Sequence, residues 1–361
     1  MVTPAVLSVE KFSLSMPATS VSTAALSLGQ DIDNCVPFMT FSADDDGNDS
    51  TNIDIVKNGG TNKFDLSASG GLGDREIEVT VVEFDPAEVT IQEVSFTLGS
   101  GLTANVTVSA IVEASTFPII YGKIADTLHR YRSCMFQATF TSTTNLLLTK
   151  LNHTADITGH AYILEAKNGA WAIETGASIP TSYVSSDASK NTAITVTANR
   201  TALWSYYDTD ESSDDARDVI WDGVITDASN LDLTRGNGQT PLSAGDIESF
   251  VVEFAADVAV VQQGEFNYVT ATTKTAAITA PGTLANAMIV GTNVKGHSEA
   301  SGAGFPSREG ELARMSFNSA TEVLGTRGAT GTGNYRQNFQ VIEWLIATAA
   351  DDEPIIIMSG F

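Results

Sequence analysis

Thr226-Asp-Ala-Ser-Asn-Leu-Asp-Leu-Thr-Arg235 decides the fold, because the chain repeats it. Ungapped counterparts run Asn48-Asp-Ser-Thr-Asn-Ile-Asp-Ile-Val-Lys57, Thr141-Ser-Thr-Thr-Asn-Leu-Leu-Leu-Thr-Lys150 and Asn318-Ser-Ala-Thr-Glu-Val-Leu-Gly-Thr-Arg327. Each copy is answered downstream by an apolar-apolar-Glu step, at Val81-Val82-Glu83, Ile163-Leu164-Glu165, Val251-Val252-Glu253 and Val341-Ile342-Glu343. Such repetition means one supersecondary unit used several times.

The two markers set the period. The basic ends lie 93, 85 and 92 residues apart and the glutamates 82, 88 and 90 apart. From basic residue to Glu the gap is 26, 15, 18 and 16 residues, so the first copy carries an insertion, placed at the Gly-rich stretch 58–74. A period this long exceeds a solenoid rung or propeller blade, and each copy is expected to be a small domain with its own core. The expected limits are 1–99, 100–180, 181–268 and 269–361.

Asn-Leu-Asp-Leu-Thr-Arg and Arg75-Glu-Ile-Glu-Val-Thr-Val-Val alternate apolar with polar residues, the two-residue period of a half-buried strand. Thr, Val and Ile are abundant, and 29 Gly against 10 Pro suit many short strands joined by turns. Helical signal is confined to Phe117–Arg132 and Phe339–Ala350, without a strong cap. The reading is all-β: four tandem β-sandwich or small β-barrel modules, arranged as two pairs.

Charge supports the pairing. Acidic against basic residues number 16 and 4, 5 and 5, 15 and 4, and 8 and 6 in the four spans, giving nets of −12, 0, −11 and −2. A chain of net charge −25 repels phosphate backbones and has no basic stripe, which excludes nucleic acid as a partner. No apolar run approaches the ~18 residues of a membrane span, and the first thirty residues lack a signal-peptide pattern, so a soluble chain made without a leader is expected.

The repeated charges suggest cross-strand pairs, Lys57 with Glu83, Lys150 with Glu165, Arg235 with Glu253 and Arg327 with Glu343, worth ~0.2–1 kcal/mol each. A carboxylate flanked by Val-Val and Phe needs a partner once it is even partly buried. Glycosidase chemistry would require a second carboxylate at a defined distance, and no catalytic residue and no cofactor is assigned. Asp44-Asp-Asp46-Gly-Asn-Asp49 and Asp208-Thr-Asp210-Glu211 concentrate oxygen ligands, making Asp44, Asp46, Asp208 and Asp210 the candidate cation ligands. Neither run follows the regular calcium-loop spacing with its closing Glu, which favours solvated acidic loops.

The four histidines, 129, 153, 160 and 297, make no paired metal spacing, and His153 and His160 are read as surface residues flanking a turn. Cys35 and Cys134 each precede a Phe by six residues, at Phe41 and Phe140, and are read as equivalent positions in separate cores. Two free, buried thiols are expected, in keeping with folding in a reducing cytoplasm.

Val-Val-Glu-Phe followed by Val-Thr-Ile91-Gln92, and Val-Val-Glu-Phe followed by Val260-Val-Gln262-Gln-Gly264, resemble repeated strand segments of uncharacterised structural proteins from tailed bacteriophages. The second copy keeps Glu174 at the same nine-residue distance from its Glu, and the fourth has Asp352 there. The resemblance implies a virion component, folded in the host cytoplasm and then assembled. The expected function is a non-enzymatic virion structural protein, a capsid-associated decoration or a tail or fibre component, acting as a homo-oligomer with other virion proteins and possible host-surface glycans as partners. Two alternatives stand beside it: a surface adhesin or S-layer-like module, and a carbohydrate-active enzyme in which Trp171, Trp204 or Trp221 forms a sugar platform.

Overall fold

A computed structural model describes residues 4–27, 30–43, 53–68, 75–124, 135–151, 156–184, 186–208, 221–235, 244–268, 271–291, 313–328 and 335–346. Among these the regular structure is β, with short 3-10 turns and no α-helix. The first six strands are β1 (Val6–Met16), β2 (Ser20–Ser22), β3 (Cys35–Ala43), β4 (Ile53–Asn58), β5 (Lys63–Ala68) and β6 (Arg75–Phe84). The next six are β7 (Val89–Leu98), β8 (Thr103–Thr107), β9 (Thr116–Ile124), β10 (Gln137–Ser142), β11 (Asn145–Thr149) and β12 (Ile157–Ala166). A third set comprises β13 (Trp171–Ile173), β14 (Ile179–Tyr183), β15 (Ser189–Ala193), β16 (Thr201–Tyr207), β17 (Trp221–Asp227), β18 (Asn230–Arg235) and β19 (Gly245–Phe254). The last set is β20 (Ala259–Tyr268), β21 (Thr273–Ala277), β22 (Ala287–Gly291), β23 (Ala313–Ser319), β24 (Glu322–Arg327) and β25 (Tyr335–Trp344).

Each set folds the same way. Its sixth strand lies between the first and third, and its fifth between the second and fourth, giving the antiparallel sheets β1-β6-β3 and β2-β5-β4, β7-β12-β9 and β8-β11-β10, β20-β25-β22 and β21-β24-β23. In the third set the first strand is broken into β13 and β14, both paired with β19 opposite β16, beside the sheet β15-β18-β17. The break is a turn at Glu174–Gly176 in which Thr175 takes φ 61 and Gly176 φ 78. Alternation does what it promised: in Lys63-Phe-Asp-Leu-Ser-Ala68, Phe64, Leu66 and Ala68 are buried while Lys63, Asp65 and Ser67 are half-exposed.

Pairing places the strand boundaries one strand earlier than the sequence-derived limits. β7, β13 and β20 pair with β12, β19 and β25, so the repeating units run from 6 to 84, 89 to 166, 171 to 254 and 259 to 344, joined by four-residue links. Every unit closes with one equivalent bond: Asp85, Lys167, Ala255 and Leu345 donate their backbone N–H to the carbonyls of Ala5, Glu88, Ala170 and Val258.

Three sequence expectations are corrected. The first copy of the decapeptide is out of register, because its residues Ile53–Lys57 lie in β4, a fourth strand, whereas its counterparts in the other modules form the fifth strand. Ile53 pairs with Ala68 as Trp221 pairs with Arg235 and Ala313 with Arg327, so Ala68, not Lys57, occupies the basic position. From Ala68 to Glu83 is 15 residues, in line with the other copies, and the residues from Asn58 to Ala68 belong to the β4–β5 hairpin, not to an insertion. Phe117 to Ile124 and Phe339 to Trp344 are strand, not helix, since β-branched and aromatic residues there pack both faces. Cys35 opens a third strand, while Phe140 lies in a fourth strand, so the Cys-Phe spacing does not mark equivalent places.

Packing between units passes from first to second, second to third, third to fourth, and from the fourth back to the first. The four third strands thus surround an axis, and their second and fourth residues form buried layers on it: Val36, Phe117, Ala202 and Met288, then Phe38, Ile119, Trp204 and Val290. The ends of three sixth strands and the start of β13 close one end of the axis, where Phe84, Trp171, Phe254 and Trp344 make a circuit of edge-to-face rings with centroids 6.1, 6.0, 5.2 and 5.6 Å apart. Trp171 enters because the second unit ends in Ala166, too small to fill its quarter. Each such ring contact adds ~0.5–1.5 kcal/mol beyond burial, and the three that join different units, Phe84–Trp171, Phe254–Trp344 and Phe84–Trp344, favour the closed arrangement.

Candidate functional site

The repeated glutamates hold turns, not lysines. Glu83 Oε1 accepts the backbone N–H of Asp31 at 3.2 Å, Glu165 Oε1 that of Val112 at 3.0 Å and Glu343 Oε1 that of Thr283 at 2.7 Å. All three donors precede the 3-10 turn that starts a third strand, at Ile32–Asn34, Glu113–Ser115 and Leu284–Asn286. In the third unit Arg200 intervenes, its Nη2 reaching Glu253 Oε1 at 3.0 Å and Thr197 Oγ1 at 2.9 Å. A carboxylate is the right group, because a charge-assisted bond to N–H holds a short turn whose donors have no internal partner. The expected cross-strand pairs do not form as drawn: Lys57, Arg235 and Arg327 lie on outer-sheet strands and Lys150 just beyond one, whereas the glutamates lie on central inner-sheet strands. Glu253 meets Arg200, and the side chain of Arg235 lies outside those described.

A second clamp recurs on the first strands. Gln92 accepts the N–H of Ser109 at 2.6 Å, and Gln262 that of Thr279 at 2.8 Å, each also donating to the same residue's carbonyl. Glu174 accepts from Thr195 N at 2.8 Å, and Glu10 from Ser27 N at 3.1 Å. The nine-residue step from Glu83 to Gln92, Glu165 to Glu174 and Glu253 to Gln262 is therefore the passage from one unit's turn clamp to the next unit's connection clamp. The fourth member is Glu10, ahead of the first step.

Buried cations cap the connection between first and second strands. Lys150 Nζ lies 3.4 Å from the Leu98 carbonyl, and Arg327 Nη2 2.6 Å from that of Ala271, with its guanidinium over the Tyr268 ring at 4.7 Å. Where the first unit has Ala68, Arg75 from β6 supplies the guanidinium, 3.3 Å from the Ala18 carbonyl and fully buried. Lys57 instead reaches the Asp33 carbonyl at 2.9 Å and lies over the Tyr162 ring.

The seams between units use one geometry with changing chemistry. A fourth-strand residue faces the sixth strand of the next unit: Asp54 meets His160 at 3.0 Å, Asp222 accepts from Asn338 N at 2.8 Å, and Arg314 reaches Glu76 at 3.2 Å and Glu78 at 3.7 Å. Nearer the axis, Tyr121 and Tyr206 donate to the carbonyls of Pro37 and Pro118 at 3.0 and 2.9 Å, and Gln340 exchanges two bonds with the Leu203 backbone. The seam from fourth unit to first is closed by Thr40 and Met315, whose side chain and backbone bond both ways, and by Lys11 Nζ on the Leu284 carbonyl at 2.7 Å. His160 is thus a seam residue, not a turn residue, and its bond to Asp54 raises its pKa.

The remaining candidates separate clearly. Trp171, Trp204 and Trp221 are 2, 8 and 1 % exposed and have no free face for a sugar. Asp208 is buried, accepting from Asp246 N at 3.0 Å through its side chain and from Tyr183 Oη through its carbonyl. Asp44, Asp46 and Asp210, together with Cys134 and His153, lie outside the described residues. Cys35 is a buried free thiol, its pKa pushed up to about 12 chiefly by burial. Among the described residues no group of three His, Cys, Asp or Glu is placed to hold a metal, and no helix is long and apolar enough to cross a membrane. Comparison with family models, curated proteins and solved structures finds no match.

Proposed function

We infer that the chain is a non-enzymatic structural protein of a virion, a capsid-associated decoration or a tail or fibre component that self-assembles and contacts other virion proteins. The observation that carries the reading is where the repeated polar residues go. Glu83, Glu165 and Glu343 hold turns, Glu253 reaches one through Arg200, and Arg75, Lys150 and Arg327 cap connections. The charged residues that recur are committed to holding shape, as rigid building blocks require. The resemblance of the Val-Val-Glu-Phe segments to phage structural proteins supplies the particle. Purified phage particles of the source should contain the chain in stoichiometric amounts by mass spectrometry, and its absence from particles carrying its gene would overturn the reading.

A further inference from the structure

The second strand of every unit is paired on one side only, and the four free edges differ in how they are protected. β2 is three residues long. β15 and β21 carry Lys190 and Lys274 at one and the same position, since Ser189 and Thr273 pair with Thr234 and Thr326 of the repeated decapeptide. Short strands and edge lysines are the devices that keep sheet edges from joining. In β8 Thr103 pairs with Thr149, which puts Ala104 at the lysine position, and Thr103-Ala-Asn-Val-Thr107 has no charged residue. It is a full-length edge without either device.

The backbone of that edge is free to pair. Lys150 N–H donates to the Leu102 carbonyl and Val108 N–H to that of Thr144, so the even-numbered residues of β8 bond to β11. By antiparallel alternation Thr103, Asn105 and Thr107 turn their N–H and C=O groups outward. All three residues are exposed, and among the described residues none bonds to those groups. In front of them is a groove of about 490 Å³, lined on its other side by Glu93, Ser95 and Thr97 on the free edge of β7. Glu93 is the one charged residue in that lining, and its carboxylate is committed to the Lys57 N–H and the Tyr162 hydroxyl.

We propose that β8 pairs antiparallel with β8 of a second copy of this chain about a twofold axis at Asn105, merging two outer sheets into one. The proposal rests on the self-assembly part of the reading above and gives that assembly a contact. Centred there, Asn105 faces its own copy and Thr103 faces Thr107 of the second copy, so every pair joins two residues whose backbone groups point outward. Three such pairs exchange two hydrogen bonds each. Thr facing Thr is a favourable cross-strand pair. A second copy is the occupant that fits, because the strand is complementary to itself and residues 89–170 carry no net charge in a chain of −25. The contact is isologous and closes at two copies. Repulsion between the rest of the two chains weakens it, and salt screens that repulsion.

The test is sedimentation of the full chain, of Ala104→Lys and of Asn105→Pro at low and high salt. Wild type should dimerise, more tightly at high salt. Ala104→Lys gives β8 the lysine that β15 and β21 already carry, and Asn105→Pro removes the outward N–H on the axis without touching the bonds to β11. Each should raise the apparent Kd about tenfold or more. In a Cys134→Ser background, Asn105→Cys should oxidise to a covalent dimer, since facing residues of a bonded pair lie about 5.5 Å apart at Cα, within disulfide range. Asn191→Cys, the same position on lysine-guarded β15, should not. If Asn105→Pro fails to fold, Ala104→Lys and the cross-link still decide. Undiminished association of Ala104→Lys, or a cross-link through Asn191→Cys and not Asn105→Cys, would overturn the β8 contact and leave self-assembly standing. A wild type monomeric in every condition would overturn both.

Discussion

Two glutamates on sixth strands show how one side chain type acquires opposite energetic signs. Glu343 accepts the N–H of Thr283 at 2.7 Å, and Glu343→Ala leaves that donor unpaired in a partly buried place. Denaturant unfolding should report a loss of about 1–3 kcal/mol, and Glu343→Gln, which keeps an acceptor, a smaller one. Glu248 is 9 % exposed, and its Oε2 has no hydrogen-bond partner among the described residues. Burial raises its pKa, with Ser178 and Asp246 acting in opposite directions as smaller influences. A raised carboxyl pKa means the folded state holds the proton more tightly than the unfolded chain, whose Glu titrates near 4.3. Stability from this group is fully present below about pH 4.3 and is lost as pH rises through the folded value. Glu248→Gln should therefore raise Tm at pH 7, with an advantage that shrinks as the pH falls through the folded value and is gone below about 4.3. A gain independent of pH would show that the charge is not the cause.

Strands, not residues, explain what was legible in advance. Two-residue alternation and the repeated apolar-apolar-Glu step announced an all-β repeat, and the nine-residue step from Glu83 to Gln92 carried both clamps, though only contacts reveal what they clamp. Register in the first unit was misread because β4 and β5 both alternate, and Asn52-Ile-Asp-Ile-Val-Lys57 matches Asn230-Leu-Asp-Leu-Thr-Arg235 better than Lys63-Phe-Asp-Leu-Ser-Ala68 does. Charge pairing failed for a topological reason: fifth and sixth strands are neighbours in sequence but central in different sheets. Close strand approach, invisible to periodicity, gives a sharper prediction. At Gly159 in β12 an added Cβ would meet the Tyr121 carbonyl and, at 2.6 Å, the Gly122 Cα, both backbone of β9. At Gly264 in β20 it would meet the Phe339 ring, a side chain able to shift. Gly159→Ala should cost about 3 kcal/mol or more and Gly264→Ala about 1–3 kcal/mol in equilibrium unfolding. Equal costs would mean that β9 and β12 give way as readily as a ring.

Around the whole molecule the charges alternate. Counted over 1–88, 89–170, 171–258 and 259–361, acidic against basic residues number 15 and 4, 5 and 5, 15 and 4, and 9 and 6, so the two units of net −11 are separated by units of 0 and −3. In the closed circuit each acidic unit has only near-neutral neighbours, which keeps the like charges of the two acidic units apart. Seam chemistry follows the same alternation. Odd units present Asp54 and Asp222 forward, to His160 and Asn338, and the first presents Glu76 and Glu78 backward to Arg314. Three seams are spanned by four-residue links and the fourth by none, yet its contacts are of the same kind, and Asp85 and Leu345 make the equivalent closing bonds to Ala5 and Val258. Covalent order around the axis is then incidental to the fold. A circular permutant that joins Trp344 to Val6 through four residues and opens the link 167–170 at Gly169, whose φ of 79 and open surroundings mark an unconstrained turn, should fold. Its unfolding free energy should stay within about 1–2 kcal/mol of the parent lacking residues 347–361, since loop closure depends only weakly on which link is cut. Near-ultraviolet dichroism of the Phe84–Trp171–Phe254–Trp344 circuit is the decisive readout, because those rings come from the first, third and fourth units and assemble only when the fourth unit meets the first. A permutant with strand content but without that signal would mean that the seam from fourth unit to first is weaker than the three that carry a link.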